Sequence, residues 1–231
     1  MKDFFFEIKD WMEVWPLLIP LIVLMVWPKQ PAYMKPVIIY IWVALAINLL
    51  ADLSWKLKAH YHFPIWYQTN SYFYNMHSIV RFALFSWFFM RLKQPFLSGI
   101  KVLLIVLFGL FVLVNFIFFE PFVNFWFDNG KFNSKFSNNL LSVESIFLLL
   151  FCLQYFFYLI KQDEPAYTKL PSFWVVTGLS IYVVTGFPIY LFYNASFWQN
   201  QFFVINIWIV LKVAFLIFCV FIATGFTRAS T

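Results

Sequence analysis

Charged residues are scarce in this sequence of 231 amino acids: they make up 11% of the chain, whereas soluble domains carry about a quarter. Apolar residues account for 63%, and the mean hydropathy is +0.80. Cysteine and histidine are also rare, with two and three residues. Cys152 and Cys219 both lie within apolar runs. The composition excludes a soluble fold, and we expect no disulfide framework, no metal site and no cofactor.

Long, continuous apolar runs take the place of charge. A bilayer core about 30 Å thick needs about 20 apolar residues per helix, so a chain of this length accommodates at most seven or eight spans with short connections. Unbroken runs favour helices over a β-barrel, whose strands would alternate. We predict an all-α polytopic membrane protein, a seven-transmembrane-helix bundle that forms a single domain over residues 1–231. The predicted spans lie near 12–28, 35–57, 67–92, 99–121, 137–160, 170–194 and 202–226.

Basic residues lie singly or in pairs near the predicted span ends, where they suit anionic lipid headgroups. We therefore expect membrane lipids as partners, and no nucleic acid, despite the net charge of +6. The side of the N-terminus carries six: Lys2, Lys9, Lys56, Lys58, Lys131 and Lys135. The opposite side carries eight: Lys29, Lys35, Arg91, Lys93, Lys101, Lys161, Lys169 and Arg228. This bias predicts an N-terminus outside and a C-terminus in the cytoplasm.

Ionisable residues inside the predicted spans carry the most information, because each costs about 2.5–3.5 kcal/mol at the membrane centre. The four strongest cases are Asp52, Arg81, Glu144 and Lys212. Two acids and two bases are expected to pair inside the bundle rather than face lipid. A rise of about 1.5 Å per residue places them roughly 8 to 21 Å from the face on the side of the N-terminus.

Other polar residues are predicted at similar depths: Asn48, Tyr74, His77, Thr185, Tyr190 and Asn206. With the four charged residues they predict a polar pocket that opens toward the side of the N-terminus. The alternative is a polar layer that only fixes helix packing through interhelical hydrogen bonds.

The sequence lacks the residues that several known membrane-protein activities require. Lys212 in the last span suits a retinal Schiff base, but Trp208 stands where microbial rhodopsins place an aspartate, and Leu84 replaces the acid of the third span. His77 is the one histidine within a predicted span, too few for a metal-dependent hydrolase or a bis-histidine haem. Asp52 has no second intramembrane aspartate to form a protease dyad.

Three short motifs resemble a broad group of uncharacterised seven-helix inner-membrane proteins of Gram-negative bacteria. The first is the line of Asn75, His77 and Phe82 on the third span, although Arg81 stands where an acid is usual. The second is Ser142-Val143-Glu144-Ser145, and the third runs from Pro171-Ser172-Phe173-Trp174 through Gly178 to Tyr182. The resemblance implies a seven-helix fold, an inner-membrane location and a sensor-like or accessory role, and it identifies no ligand.

We expect a non-enzymatic membrane protein, with no assigned catalytic residue, that acts as a receptor-like sensor or as an accessory subunit of a membrane complex. A membrane protein partner is expected because almost nothing follows the last span. A small solute or proton-coupled transporter that uses Asp52, His77, Glu144 and Lys212 is the first alternative. A lipid-modifying enzyme is the second.

Overall fold

Seven α-helices follow one another in the computed structural model, which describes residues 11–60, 71–92, 94, 98–120, 137–162, 167–192 and 201–229, with the side chains of 55–60, 71 and 201–206 left out. They are α1 Trp15–Val26, α2 Lys35–His60, α3 Ser71–Arg91, α4 Ser98–Val114, α5 Asn138–Gln162, α6 Pro171–Leu191 and α7 Gln201–Arg228. A π-helical turn, Asn115–Phe119, extends α4, and single 3-10 turns, Ala32–Met34 and Tyr167–Lys169, precede α2 and α6. No strand occurs in these ranges. The predicted all-α, seven-helix fold is confirmed.

Each predicted span overlaps one helix, and the helix ends follow local sequence signals. Pro16 lies in the first turn of α1 and Pro171 opens α6, positions where a missing backbone N–H costs nothing. Ser137 caps α5, with the Leu140 backbone N–H donating to its Oγ at 3.2 Å. Some of the predictions fall outside the described residues: the span residues 67–70, 121 and 193–194 and the basic residues Lys2, Lys9, Lys93, Lys131 and Lys135.

Five helical segments are long and apolar enough to cross a membrane: Ala32–Ser54, Ser98–Phe119, Asn138–Gln162, Pro171–Leu191 and Ile207–Arg228. The helix α1 is apolar but has only 12 residues, so it measures about 18 Å. The 21 residues of α3 are long enough but too polar to count among the five. The chain is therefore a membrane-embedded protein, and α3 carries polar groups into its interior.

Neighbouring helices in the chain are also neighbours in space. Each helix from α1 to α6 contacts the next helix in the chain. The last helix, α7, also contacts α1, and α3 contacts α5 directly. Because α3 and α5 meet, α4 is left outside the ring that the other six helices form. Only 17% of α4 is buried, whereas the other four membrane-spanning segments are 39–44% buried. Its exposed face, rich in leucine, valine and phenylalanine, suits contact with lipid acyl chains.

Aromatic side chains fill the half of the bundle that lies away from the N-terminal face. Phe82 of α3 stacks on Phe108 of α4 at 3.8 Å between ring centroids, and Phe89 stacks on Phe151 of α5 at 5.2 Å. Phe85 contacts Phe218 of α7 at 5.7 Å. All three α3 residues come after Arg81 in the chain, toward the end of α3 opposite the N-terminal face. This aromatic core closes the bundle on the side that faces away from the N-terminal face, next to the polar residues described in the following section.

The helices α6 and α7 form the most intimate pair. A Cβ added at Gly178 of α6 would lie 2.5 Å from Phe221 Cβ, and one added at Gly225 of α7 would lie 2.9 Å from the Pro171 carbonyl oxygen. Carbon atoms pack at about 3.5–4.0 Å, so neither position accepts a side chain without displacement of the helix opposite. Glycine at these two places permits the backbones to approach closely, as small residues do in membrane helix pairs.

Candidate functional site

The polar residues of α3 lie on one face of that helix, which points into the bundle. Tyr74, His77, Ser78 and Arg81 follow a spacing of three or four residues, so their side chains stack on the same side. Ser78 and Arg81 are 1% and 3% exposed. This face supplies most of the hydrogen-bonding groups of the candidate site.

Arg81 forms a buried ion pair with Glu144 of α5. Its Nε donates to Glu144 Oε1 at 2.5 Å and its Nη2 donates to Oε2 at 2.6 Å, a bidentate arrangement. Ser78 Oγ donates to Oε2 at 2.6 Å, and Arg81 Nη1 donates to Tyr182 Oη of α6 at 2.8 Å. The predicted pairing of intramembrane charges is confirmed for these two residues, and the pair joins α3, α5 and α6.

Glu13, in the turn that precedes α1, connects three helices. Asn48 Nδ2 of α2 donates to its backbone oxygen at 2.8 Å, and Tyr74 Oη of α3 donates to its Oε2 at 2.9 Å. Lys212 Nζ of α7 lies 4.0 Å from Oε1. The Glu13 and Lys212 side chains are 21% and 20% exposed, whereas Glu144 and Arg81 are 0% and 4% exposed. The outer pair is therefore partly exposed, and the inner pair is buried.

A cavity of about 50 Å³ lies between these two charge pairs. Its lining residues come from the N-terminal turn and from α2, α3, α5, α6 and α7: Glu13, Asn48, Tyr74, His77, Arg81, Leu141, Tyr182, Tyr190, Trp208, Leu211, Lys212 and Phe215. Of the residues that lie on helices, all except Arg81, the middle residue of α3, and Phe215 lie in the half of their helix nearer the N-terminal face. The polar interior predicted on that side of the bundle thus encloses a real space.

Of the three basic side chains that line the cavity, His77 is the one without a described counter-ion. Its ring stacks on Tyr40 of α2 with 5.8 Å between centroids, and the residue is 7% exposed. Among the described residues, no hydrogen-bond partner contacts its Nε2 atom. Buried ring nitrogens are normally hydrogen-bonded, so this atom can accept a hydrogen bond from, or donate one to, a group beyond the described residues.

The cavity brings together six of the predicted site residues: Asn48, Tyr74, His77, Arg81, Tyr190 and Lys212. Glu144 lies behind Arg81 and contacts the cavity only through it.

Three other predicted residues do not belong to the cavity lining that is described. Thr185 Oγ1 donates to the Ile181 carbonyl of its own helix at 2.8 Å, a local bond that satisfies the hydroxyl. Asp52 lies one turn beyond Asn48 on α2, is half-buried and is absent from the lining. Asn206 belongs to α7, and its side chain lies outside the described residues.

The sequence argument missed Glu13 and Tyr182 as site residues. Glu13 is the second residue of the predicted span 12–28, where an acid looks like an ordinary span boundary. Tyr182 stands in the middle of α6 and resembles one more aromatic core residue. One sequence feature could have identified Tyr182: it lies eight residues from Tyr190, on the same helix face. In the structure, the two hydroxyl oxygens are 3.5 Å apart.

The donor set of the cavity suits hydrogen bonding rather than metal coordination. Hydroxyl, amide, imidazole and paired charged groups predominate, and no group of three His, Cys, Asp or Glu side chains that could hold a metal ion occurs within the described residues. The thiols of Cys152 and Cys219 are buried in the apolar core instead.

No protein-family model, no curated protein and no solved structure matches the chain. The geometry of the cavity and the composition of the helices therefore carry the functional argument.

Proposed function

We propose that this protein is a non-enzymatic membrane protein that binds a ligand in its intramembrane cavity and acts as a receptor-like sensor or as an accessory subunit of a membrane complex. One observation carries the proposal. Charged and polar side chains from five helices and the N-terminal turn surround a space of about 50 Å³, and a packed aromatic core closes that space from the opposite face. A site that is accessible from one side suits detection of a ligand.

The charge pairs support a binding role over a catalytic one. Arg81 is bound to Glu144 and Tyr182, and Ser78 is bound to Glu144, so these groups serve to hold α3, α5 and α6 in place. His77 stacks on Tyr40 and has no described acid or nucleophile bonded to its Nε2. A general base normally lies within hydrogen-bond reach of the group that it activates.

We place the partner that would receive a signal from the cavity in the membrane. The exposed faces of α1 and α4 are apolar. We place the partner within the bilayer for this reason, together with the lipids that cover the remaining apolar surface.

Location and orientation belong to the same proposal. The resemblance to inner-membrane proteins of Gram-negative bacteria favours the cell inner membrane. Lys101 is 2% exposed and donates to the Phe89 carbonyl, so it stabilises the fold and is not counted as an orientation signal. Seven basic residues are then left on the proposed cytoplasmic side, against six on the side of the N-terminus. The bias still favours an outside N-terminus and a cytoplasmic C-terminus. Reporter fusions to the C-terminus, active only in the cytoplasm or only outside, test this orientation.

Two experiments on the protein purified in a mild detergent test the proposed role. An accessory subunit or sensor is expected to bring a membrane protein in stoichiometric amount, and reconstituted vesicles are expected to show no solute or proton flux. A pH-dependent flux that the Glu144→Gln variant abolishes would identify a carrier and overturn the proposal. A lipid product that the His77→Ala variant no longer forms would identify an enzyme.

A further inference from the structure

The dimensions of the cavity limit its occupant. A water molecule needs about 10–15 Å³ of such space, so about 50 Å³ accommodates roughly three to five water-sized groups. A lipid headgroup, a sugar or a polyene chromophore would extend out of this space. An occupant that fits wholly inside is therefore either a few water molecules or one molecule with a similarly small number of non-hydrogen atoms.

The charges around the cavity limit its occupant in a second way. Each charged side chain of the lining has an opposite charge beside it: Arg81 is paired with Glu144, and Lys212 faces Glu13. Among the described lining residues the charges are therefore balanced, and a guest with net charge would lose its hydration without an opposite lining charge to compensate. A neutral guest avoids this cost.

The remaining lining groups define the chemistry. Tyr74 Oη and Asn48 Nδ2 already donate to Glu13, so their oxygen atoms can act as acceptors toward a guest. The His77 Nε2 atom is buried without a described hydrogen-bond partner, and Tyr190 adds a further hydroxyl to the lining. Trp208 and Phe215 supply apolar walls. A guest with both a donor and an acceptor, and with one small apolar part, matches such a lining.

We propose that the cavity binds a small, neutral, hydrogen-bonding molecule of the size of a primary amide, which contacts His77 Nε2. This inference rests on the proposed function, because it names the class of ligand for the same cavity. The ligand enters from the side of the N-terminus, past Glu13 and Lys212, which are the partly exposed charged residues of the lining. Affinity is in the millimolar range, because so small a molecule makes few contacts.

The test uses the full chain in lipid nanodiscs, labelled with ¹⁵N-histidine. The chain has three histidines, and the His77 signals are identified by their loss in the His77→Gln variant. Formamide is the neutral probe, formate and methylammonium are charged probes of similar size, and benzamide is a neutral amide too large for the cavity. We expect formamide to shift the His77 ring signal saturably and the other three probes to leave it unchanged.

A pair of tyrosine variants adds a matched control. Tyr190→Phe removes one hydroxyl from the lining and is expected to weaken formamide binding roughly three- to tenfold. Tyr33→Phe removes a hydroxyl in the 3-10 turn before α2, on the opposite side of the bundle, and is expected to leave binding unchanged.

The outcomes separate the ligand class from the proposed function. Saturable shifts with formate or methylammonium but not with formamide would overturn the neutral class while leaving a binding cavity in place. A His77 signal that no probe moves would show that the cavity holds water only, and it would overturn this inference. The partner and flux experiments then decide the proposed function independently.

Discussion

Lys212 of the last helix faces Glu13, which precedes the first helix, with 4.0 Å between Nζ and Oε1. Charge-assisted hydrogen bonds between such groups measure about 2.7–2.9 Å, so the attraction acts here without a direct hydrogen bond. The pair lies where α1 and α7 close the ring of helices, at the partly exposed end of the cavity. It is the weaker of the two charge pairs that line or support the site.

Removal of the Glu13–Lys212 pair is expected to cost little stability. Partly exposed ion pairs contribute about 0.2–1 kcal/mol, because water screens the charges. A double-mutant cycle with Glu13→Gln and Lys212→Met, followed by unfolding in mixed micelles with increasing denaturing detergent, measures the coupling energy. A coupling of several kcal/mol would contradict this assignment.

Disruption of the Arg81–Glu144 pair is expected to be far more damaging. Glu144→Gln leaves a buried guanidinium without its counter-ion, and loss of one partner of a buried pair costs about 3–5 kcal/mol. The same unfolding assay gives the value. The double variant Arg81→Met with Glu144→Leu removes both charges and is expected to be more stable than either single variant. If the double variant is the least stable of the three, the buried-charge explanation fails.

Close packing of α6 and α7 predicts opposite effects for two glycine substitutions. Gly178→Ala places a methyl group 2.5 Å from Phe221 Cβ, and such overpacking costs about 1–3 kcal/mol. Gly109→Ala on α4 meets nothing within 4 Å, so the substitution is expected to stabilise the helix by about 0.5–1 kcal/mol. Thermal unfolding of the two variants beside the parent protein provides the comparison, and equal effects would rule out the close approach.

Lys101 gives a prediction at the other end of the bundle. Its Nζ donates to the Phe89 carbonyl at 3.0 Å and to Gln94 Oε1 at 3.2 Å, near the C-terminal end of α3. Lys101→Met removes both bonds, so a loss of about 1–2 kcal/mol is expected. Lys29→Met, at an exposed position, is the control and is expected to leave the melting temperature unchanged. A similar loss in both variants would indicate a general effect of charge rather than these two bonds.

Hydrophobic patterning was sufficient to predict the fold. Apolar runs separated by proline and charge predicted all seven helices, because a membrane helix must satisfy its backbone internally and requires a nearly continuous apolar surface. The same patterning did not reveal that α1 measures only 12 residues or that α4 ends in a π-helical turn. Those details depend on tertiary contacts and on helix ends, which hydropathy does not encode.

The candidate site was predictable only in part, for a different reason. Arg81 and Glu144 stood out because an ionisable residue inside an apolar run needs a partner, and each had the other. Glu13 did not stand out, because it lies at the edge of the predicted span 12–28, where an acid needs no partner inside the membrane. Thr185 looked equivalent to Tyr190 by depth, yet a threonine on a helix bonds to its own backbone, whereas a long tyrosine reaches the cavity.

The glycine contacts between α6 and α7 also constrain how the molecule can move. The two helices are in close contact at Gly178 and at Gly225. A shift of one helix along the other by one turn would bring bulkier residues into both contacts, so such a shift is blocked. The two helices therefore move as one rigid unit. A displacement of either helix is transmitted to the other at both contacts, so the α6–α7 wall of the cavity shifts as a whole.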